Sequence, residues 1–81
     1  MPTLALQGPY RFFFYSREPG EPPHVHVRAG RATAKIWLGS LGVAKFKHFN
    51  DREIAAIVRI VRERREEFLD GWHGHFGTRP D

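Results

Sequence analysis

The sequence predicts an α+β domain in which an antiparallel sheet of three to four strands packs against one long C-terminal helix. Glycine and proline clusters divide residues 9–47 into short runs of aromatic and β-branched residues, a pattern typical of strands joined by turns. Residues 51–72 instead carry apolar side chains at the spacing of one helical face. The 81 residues contain no internal repeat and no linker, so we expect a single domain with a short C-terminal tail.

The expected strands follow one another along the first half of the chain. Residues 10–15 are aromatic apart from one arginine and predict the first strand. The loop over residues 16–23 contains three prolines, which cannot donate to a strand ladder. Strands are then expected over residues 24–28 and 32–38, around a turn at 29–31, and a short fourth strand over 43–47.

The helix has a clear start signal. Asn50 is a favourable N-cap, and Glu53 three residues later completes a capping box. Gly71 or Gly74 is expected to end the helix. The apolar face comprises Ile54, Ile57, Val58, Val61, Phe68, Leu69 and Trp72.

Arg65 interrupts this apolar face, seven residues after Val58 and seven before Trp72. A buried guanidinium is unfavourable unless it is paired or its stem reaches outward to water. One interpretation is therefore that the apolar stripe opens to solvent at this point. The other is that Arg65 points into a pocket between helix and sheet.

Side-chain alternation assigns the two central strands to two faces. The face to be covered by the helix contains Val25, Val27, Ala34, Ile36 and Leu38. A hairpin turn around residues 29 and 30 brings the remaining side chains together on a second face, which a single helix leaves open. This second face is expected to contain His24, His26, Arg28, Thr33, Lys35 and Trp37. The first strand adds either Arg11, Phe13 and Tyr15 or Tyr10, Phe12 and Phe14.

Two histidines on one strand face allow several functions. As metal ligands, His24 and His26 form a His-X-His pair, and His73 with His75 forms another. As a general acid or base, either strand histidine fits metal-independent ribonuclease chemistry, with a cation such as Arg65 stabilising the phosphate. The structural alternative is that the two histidines only complete an amphipathic strand.

The open face is also suited to binding without catalysis. Aromatic rings stack on the bases of single-stranded RNA, and Arg or Lys contacts phosphate. The residues expected in this role are Arg11, Arg28, Lys35 and Trp37. The same residue types also anchor protein partners, so a partner-binding module is a further alternative. A homodimer that covers this face or an edge strand is compatible with either function.

The composition of the chain limits the possible classes of function. The net charge is +4, and ten of the thirteen basic residues are arginines, which favours an anionic partner. The absence of cysteine excludes disulfides and thiolate metal sites. There is no apolar run of the roughly 20 residues that a membrane span needs, and residues 1–7 do not resemble a signal peptide. A cytoplasmic protein without a cofactor is therefore expected.

The order of motifs resembles a known family. An aromatic strand after Gly8 and Pro9 is followed by Glu-Pro-Pro-His-Val-His-Val at 21–27, Ala-Lys-Ile-Trp-Leu at 34–38 and Phe-Leu-Asp-Gly-Trp at 68–72. This order is similar to that of the small bacterial family known as domain of unknown function 4160. The residues after Gly77 do not follow the family pattern.

The resemblance implies a stand-alone cytosolic protein, encoded beside a small DNA-binding partner in the manner of a toxin–antitoxin module. It marks His24 and His26 as functional positions without assigning them a role. Together with the open face, it leads us to expect a toxin–antitoxin-type protein that binds or cleaves RNA. The expected catalytic residues are His24, His26 and Arg65.

Overall fold

The computed structural model describes residues 3–15 and 20–77, which form a five-stranded antiparallel sheet and two helices. The strands are β1 (Thr3–Gln7), β2 (Tyr10–Phe13), β3 (His24–Ala29), β4 (Ala32–Trp37) and β5 (Val43–Lys47). They lie in the sheet in chain order, so β1 and β5 are its edges. The helices are α1 (Asp51–Glu63) and α2 (Arg65–Phe76). The α+β class and the antiparallel sheet are thus confirmed.

The predicted strand count was too low because β1 was missed. This strand pairs with β2 through the turn at Gly8, whose φ of 58° suits glycine. Leucine, alanine and glutamine in Thr3–Gln7 give weak strand signals, and pairing with the aromatic β2 stabilises the strand instead. The first predicted strand also ends earlier than expected, at Phe13.

The prediction of one long helix was wrong, since the backbone bends at Arg64 without a proline or glycine nearby. Arg64 has φ −108° and ψ 17°, yet its N–H still donates to the Ile60 carbonyl at 3.0 Å and its carbonyl accepts from Phe68 N–H at 2.9 Å. The two helices therefore remain connected by hydrogen bonds. The Arg64 side chain holds the bend in place by donating to Gln7 of β1 and to Glu67 of α2.

The second helix continues past both glycines that were expected to end it. It stops at Phe76, where the Gly77 N–H donates to the His73 carbonyl at 2.9 Å and Gly77 adopts a φ of 119°. Gly71 has a packing role, because a Cβ there would lie 2.5 Å from Leu4 Cδ2. The missing side chain lets β1 approach α2 closely.

The core lies between one sheet face and the helices. The predicted apolar set of the two central strands is buried there, and the predicted capping box is present, with Asn50 and Glu53 bonded reciprocally at 2.8 and 3.0 Å. Each fully buried large apolar side chain stabilises the fold by about 1.5–3 kcal/mol. The main contributors are Phe12, Val25, Val27, Ile36, Leu38, Ile57, Val61 and Phe68. In the part of the chain that the structure describes, no helix has the length and apolar character to cross a membrane.

Candidate functional site

The second face of the sheet is organised by strand register. The β3–β4 pairing sets His24 opposite Trp37, His26 opposite Lys35 and Arg28 opposite Thr33. The hairpin prediction that these two sets share a face is thus confirmed. The neighbouring strands extend these pairs into two rows that cross the sheet. One row is Phe13, His26, Lys35 and Lys45; the other is Arg11, Arg28, Thr33 and Lys47. We call these eight residues, together with Tyr15, the open face.

The prediction that His24 lies exposed on this face was wrong. Its side chain points to the same side of the sheet as that of His26. It nevertheless has no solvent-accessible surface, because the last turns of α2 cover this end of the sheet. The Trp72 ring lies 4.9 Å from the imidazole and the Trp37 ring 5.5 Å, measured between centroids. His24 Nδ1 lies 3.0 Å from the Pro22 carbonyl oxygen, which can only accept, so Nδ1 carries the proton. His24 is therefore part of a packed cluster of rings.

His26, two residues later, lies in a different environment. It is half-buried and stacks on Phe13, with centroids 5.6 Å apart and planes 24° apart. The Tyr15 ring approaches it edge-on at 4.6 Å. Of the two choices for the first strand, the structure thus selects the Arg11, Phe13 and Tyr15 set.

Trp37 and Lys35 form a contact at the border of the open face. The Lys35 ammonium lies 4.7 Å from the centre of the Trp37 ring and 2.6 Å from Glu21 Oε1. Glu21 belongs to the loop before β3 and also lies 3.8 Å from His24 Nδ1. This carboxylate offsets the charge of Lys35, which leaves the rest of the face strongly cationic.

Like charges are paired directly across the strands of the open face. Arg11 is the register partner of Arg28, and Lys35 is the partner of Lys45. Directly opposed like charges destabilise a sheet, by a fraction of a kcal/mol when exposed. Within residues 3–15 and 20–77, no carboxylate forms a salt bridge with Arg11, Arg28 or Lys45. The arrangement therefore favours an anion that bridges the paired cations.

Charge is also segregated between the sheet and the helices. Residues 3–15 and 20–50 contain six Arg and Lys and one carboxylate, Glu21, which gives +5. Residues 51–76 contain five Arg and six carboxylates, which gives −1. The net charge of the described protein is therefore concentrated on the sheet, where it attracts anions.

A groove opens beside the edge strand β5, with a volume of about 270 Å³. It is lined by Tyr15, His26, Thr33, Ala34, Lys45, Phe46 and Lys47. Tyr15 is 43% exposed, so it is accessible from solvent beside the groove. The groove therefore combines an aromatic surface with two ammonium groups, and none of the described residues that line it is a carboxylate.

Arg65 makes a contact between the second helix and the end of a strand. Its guanidinium Nε donates to the Leu38 carbonyl at 2.6 Å and is partly buried. The side chain thus points between helix and sheet, as one of the two interpretations held, and satisfies a carbonyl just beyond β4. This contact holds α2 against the sheet, and its predicted catalytic role stays a prediction.

The two His-X-His pairs do not form a common centre. Within the described ranges, no group of three or more His, Asp or Glu side chains is arranged to hold a metal ion. His75 packs on Phe14, with centroids 5.1 Å apart, whereas His73 Nδ1 is buried without a hydrogen-bond partner among the described residues.

Sequence reasoning missed Lys45 and Lys47 as members of the face. The signal was available, because β5 was expected over residues 43–47 and the two lysines share one parity. What was missing was the register, which shifts by a bulge between Lys35 and Ile36. Tyr15 was considered as a residue of this face, but the groove that it lines beside β5 was not predicted.

A family model described as "Domain of unknown function (DUF4160)" matches residues 10–73. The chain belongs to the DUF4160 family. The resemblance drawn from the motifs is thereby confirmed. The match includes His24 and every residue of the open face of this DUF4160 domain, whereas β1 and His75 lie outside it. No curated protein and no solved structure matches the chain.

Proposed function

We propose that this DUF4160 protein binds single-stranded RNA across its open face. The observation that carries the proposal is the concentration of positive charge on one sheet face, where cations stand opposite one another beside the exposed Tyr15 and the half-buried His26. A sheet face exposed to water does not need opposed cations to stay solvated, and salt screens the repulsion between such cations only in part. A polyanion with stackable bases complements both features.

The two rows of the face give the RNA a path. Neighbouring strands lie roughly 4.8 Å apart, so the row from Arg11 to Lys47 crosses roughly 14 Å of sheet. Phosphates would follow this row and its neighbour, and bases would stack on the rings beside them. Sheet platforms recognise single-stranded RNA through this division of roles.

Binding is favoured over cleavage by the burial of His24. A general acid or base must come within hydrogen-bond distance of the proton it transfers, and His24 has no accessible surface. His26 is the one member of the pair that reaches the proposed RNA surface. It contributes its ring and its hydrogen-bonding capacity to binding.

The toxin–antitoxin setting is part of the same proposal. An RNA-binding protein of this size would act with the small DNA-binding protein that the family resemblance implies, as its partner in the cytoplasm. Co-expression with the product of the neighbouring gene, followed by size-exclusion chromatography, tests this pairing and also reports whether the protein alone is a homodimer. Separate elution of the two proteins at micromolar concentration would contradict the pairing.

The binding experiment uses fluorescence anisotropy with a labelled RNA of about 12 nucleotides, within the known range of single-strand site sizes. The test variant is Arg11→Ala with Arg28→Ala. Its matched control is Arg59→Ala with Arg62→Ala, which removes two exposed arginines from α1. We expect the test variant to weaken binding at least about tenfold, because charge-assisted contacts are lost, and the control to have little effect.

An equal loss of RNA affinity in the two double variants would refute the assignment of RNA binding to the open face. The same samples are run on a denaturing gel to follow the length of the RNA. Intact RNA agrees with binding alone. Cleavage by the wild-type protein that disappears in a His26→Ala variant would add a catalytic role to the proposed function.

A further inference from the structure

The groove beside β5 differs from the rest of the open face because it is concave and lies at the edge of the sheet. We infer that it binds a phosphate monoester at the end of a nucleotide chain. This inference rests on the proposed function, because it assigns one part of the open face to one part of the RNA.

Three strands supply the polar side chains of the groove. Lys45 and Lys47 come from β5, Thr33 comes from β4, and His26 comes from β3. Lys47 is the register partner of Thr33, so these two side chains are neighbours on the same face. Among the described residues, neither lysine forms a hydrogen bond or a salt bridge. Both ammonium groups are thus available to the same anion.

The charge of the groove suits a monoester better than a diester. A phosphate inside the RNA chain carries one negative charge, whereas a terminal monoester carries about −1.5 to −2 and presents three acceptor oxygens. Two ammonium groups and a hydroxyl match that number of oxygens. The described lining residues include no carboxylate, so they present no negative charge that would repel a dianion.

The size and position of the groove suit the end of a chain. Its volume of about 270 Å³ is near the lower limit for small-molecule pockets, which leaves room for a phosphate and part of one nucleotide. The exposed ring of Tyr15 lies on the same lining and offers a stacking surface for the terminal base. From there, the chain would continue across the sheet toward Arg28 and Arg11.

The test compares three RNAs of one sequence, with a 5′-phosphate, with a 3′-phosphate and with no terminal phosphate. We expect one of the phosphorylated RNAs to bind about tenfold more tightly than the unphosphorylated RNA, the effect of one added charge-assisted contact. Which end is preferred identifies the source of the monoester. In the double variant Lys45→Gln with Lys47→Gln, the preference should disappear.

The matched control is Arg11→Ala with Arg28→Ala, which should weaken binding of all three RNAs but keep the preference. Equal affinity of the wild-type protein for the three RNAs would overturn the inference and leave the proposed function intact. A preference that persists in the lysine double variant would also overturn it. Circular dichroism confirms that both double variants are folded.

A second arm separates failure of the inference from failure of the proposed function. If no RNA binds, the proposed function fails, and the groove is tested directly by calorimetry with adenosine 5′-monophosphate, adenosine 3′-monophosphate, adenosine and inorganic phosphate. Binding of a monophosphate but not of adenosine, lost in the lysine double variant, supports the groove. Binding of none of these molecules, or equal binding of inorganic phosphate and the monophosphates, overturns it.

Discussion

Replacing His24 with alanine should destabilise the protein strongly without any direct effect on RNA contacts. The imidazole has no accessible surface, and the rings of Trp37, Trp72 and His26 surround it at centroid distances of 4.9 to 5.5 Å. Its Nδ1 also donates to the Pro22 carbonyl. The variant therefore leaves a cavity and removes a hydrogen bond.

The magnitude follows from these two losses. Truncating a buried aromatic ring to alanine costs about 3–5 kcal/mol, and the imidazole, which is smaller than a phenyl ring, belongs at the lower end. The lost hydrogen bond adds about 1 kcal/mol, less if water reaches the exposed Pro22. We therefore expect His24→Ala to lower the free energy of unfolding by about 3–4 kcal/mol. His24→Phe keeps a ring in place and should lose only about 1 kcal/mol.

Urea unfolding followed by tryptophan fluorescence is the assay. Both tryptophans of the chain, Trp37 and Trp72, contact His24, so their emission reports directly on this cluster. RNA binding by the folded His24→Phe variant should equal that of the wild-type protein. The reasoning is refuted if His24→Ala is destabilised by less than about 0.5 kcal/mol, the usual limit for surface substitutions. It is also refuted if folded His24→Phe fails to bind RNA, since His24 would then act on the RNA.

Two further predictions concern charge. Four cations of the open face, Arg11, Arg28, Lys45 and Lys47, have no carboxylate partner among the described residues. With all four on phosphates, the slope of log K against log salt concentration should be about −2.8, and about −1.4 in Lys45→Gln with Lys47→Gln. An anisotropy titration of the wild-type protein at several KCl concentrations that gives a slope shallower than about −1 contradicts these contacts. The hydrogen-bonded Arg64 guanidinium lowers the pKa of the Glu67 carboxyl below its usual 4.5, so this pair stabilises the fold above that pH and the contribution is lost as pH falls through the lowered pKa. Wild type should therefore be slightly more stable than Glu67→Gln at pH 7 and equally stable once the pH lies below the lowered pKa, as measured by urea midpoints. A stability difference that persists in strong acid refutes the assignment.

The parts of the fold that the sequence predicted are those with local signals. Strand alternation predicted which side chains of β3 and β4 share a face, because a slip by one residue would have placed valines in water. The individual pairs, such as His26 with Lys35, come from the structure. The helix start was equally clear, since Asn50 and Glu53 need only each other and the adjacent backbone.

The parts that it did not predict depend on tertiary contacts. The bend at Arg64 lacks a helix breaker and coincides with contacts of that side chain to β1 and α2. The continuation of α2 past Gly71 and Gly74 was also unpredictable, because Gly71 serves the approach of Leu4 rather than a helix end. Its consequence is the burial of His24 beneath Trp72. The face of His24 was therefore predicted correctly and its environment was not.

The His-X-His motif is best understood as two positions with separate tasks. His24 joins β3 to α2 through its contact with Trp72, and its hydrogen bond to the Pro22 carbonyl ties the start of β3 to the preceding loop. Because β3 is fixed there, His26 lies at a set position between Phe13 and Lys35, at the boundary between the aromatic and the cationic parts of the open face. We therefore expect a substitution at His24 to change RNA binding only through stability, and a substitution at His26 to change the proposed binding surface itself. Measuring both the free energy of unfolding and the RNA affinity for variants at each position distinguishes these two tasks. A binding or activity assay alone would not distinguish a loss of stability from a loss of contact with RNA.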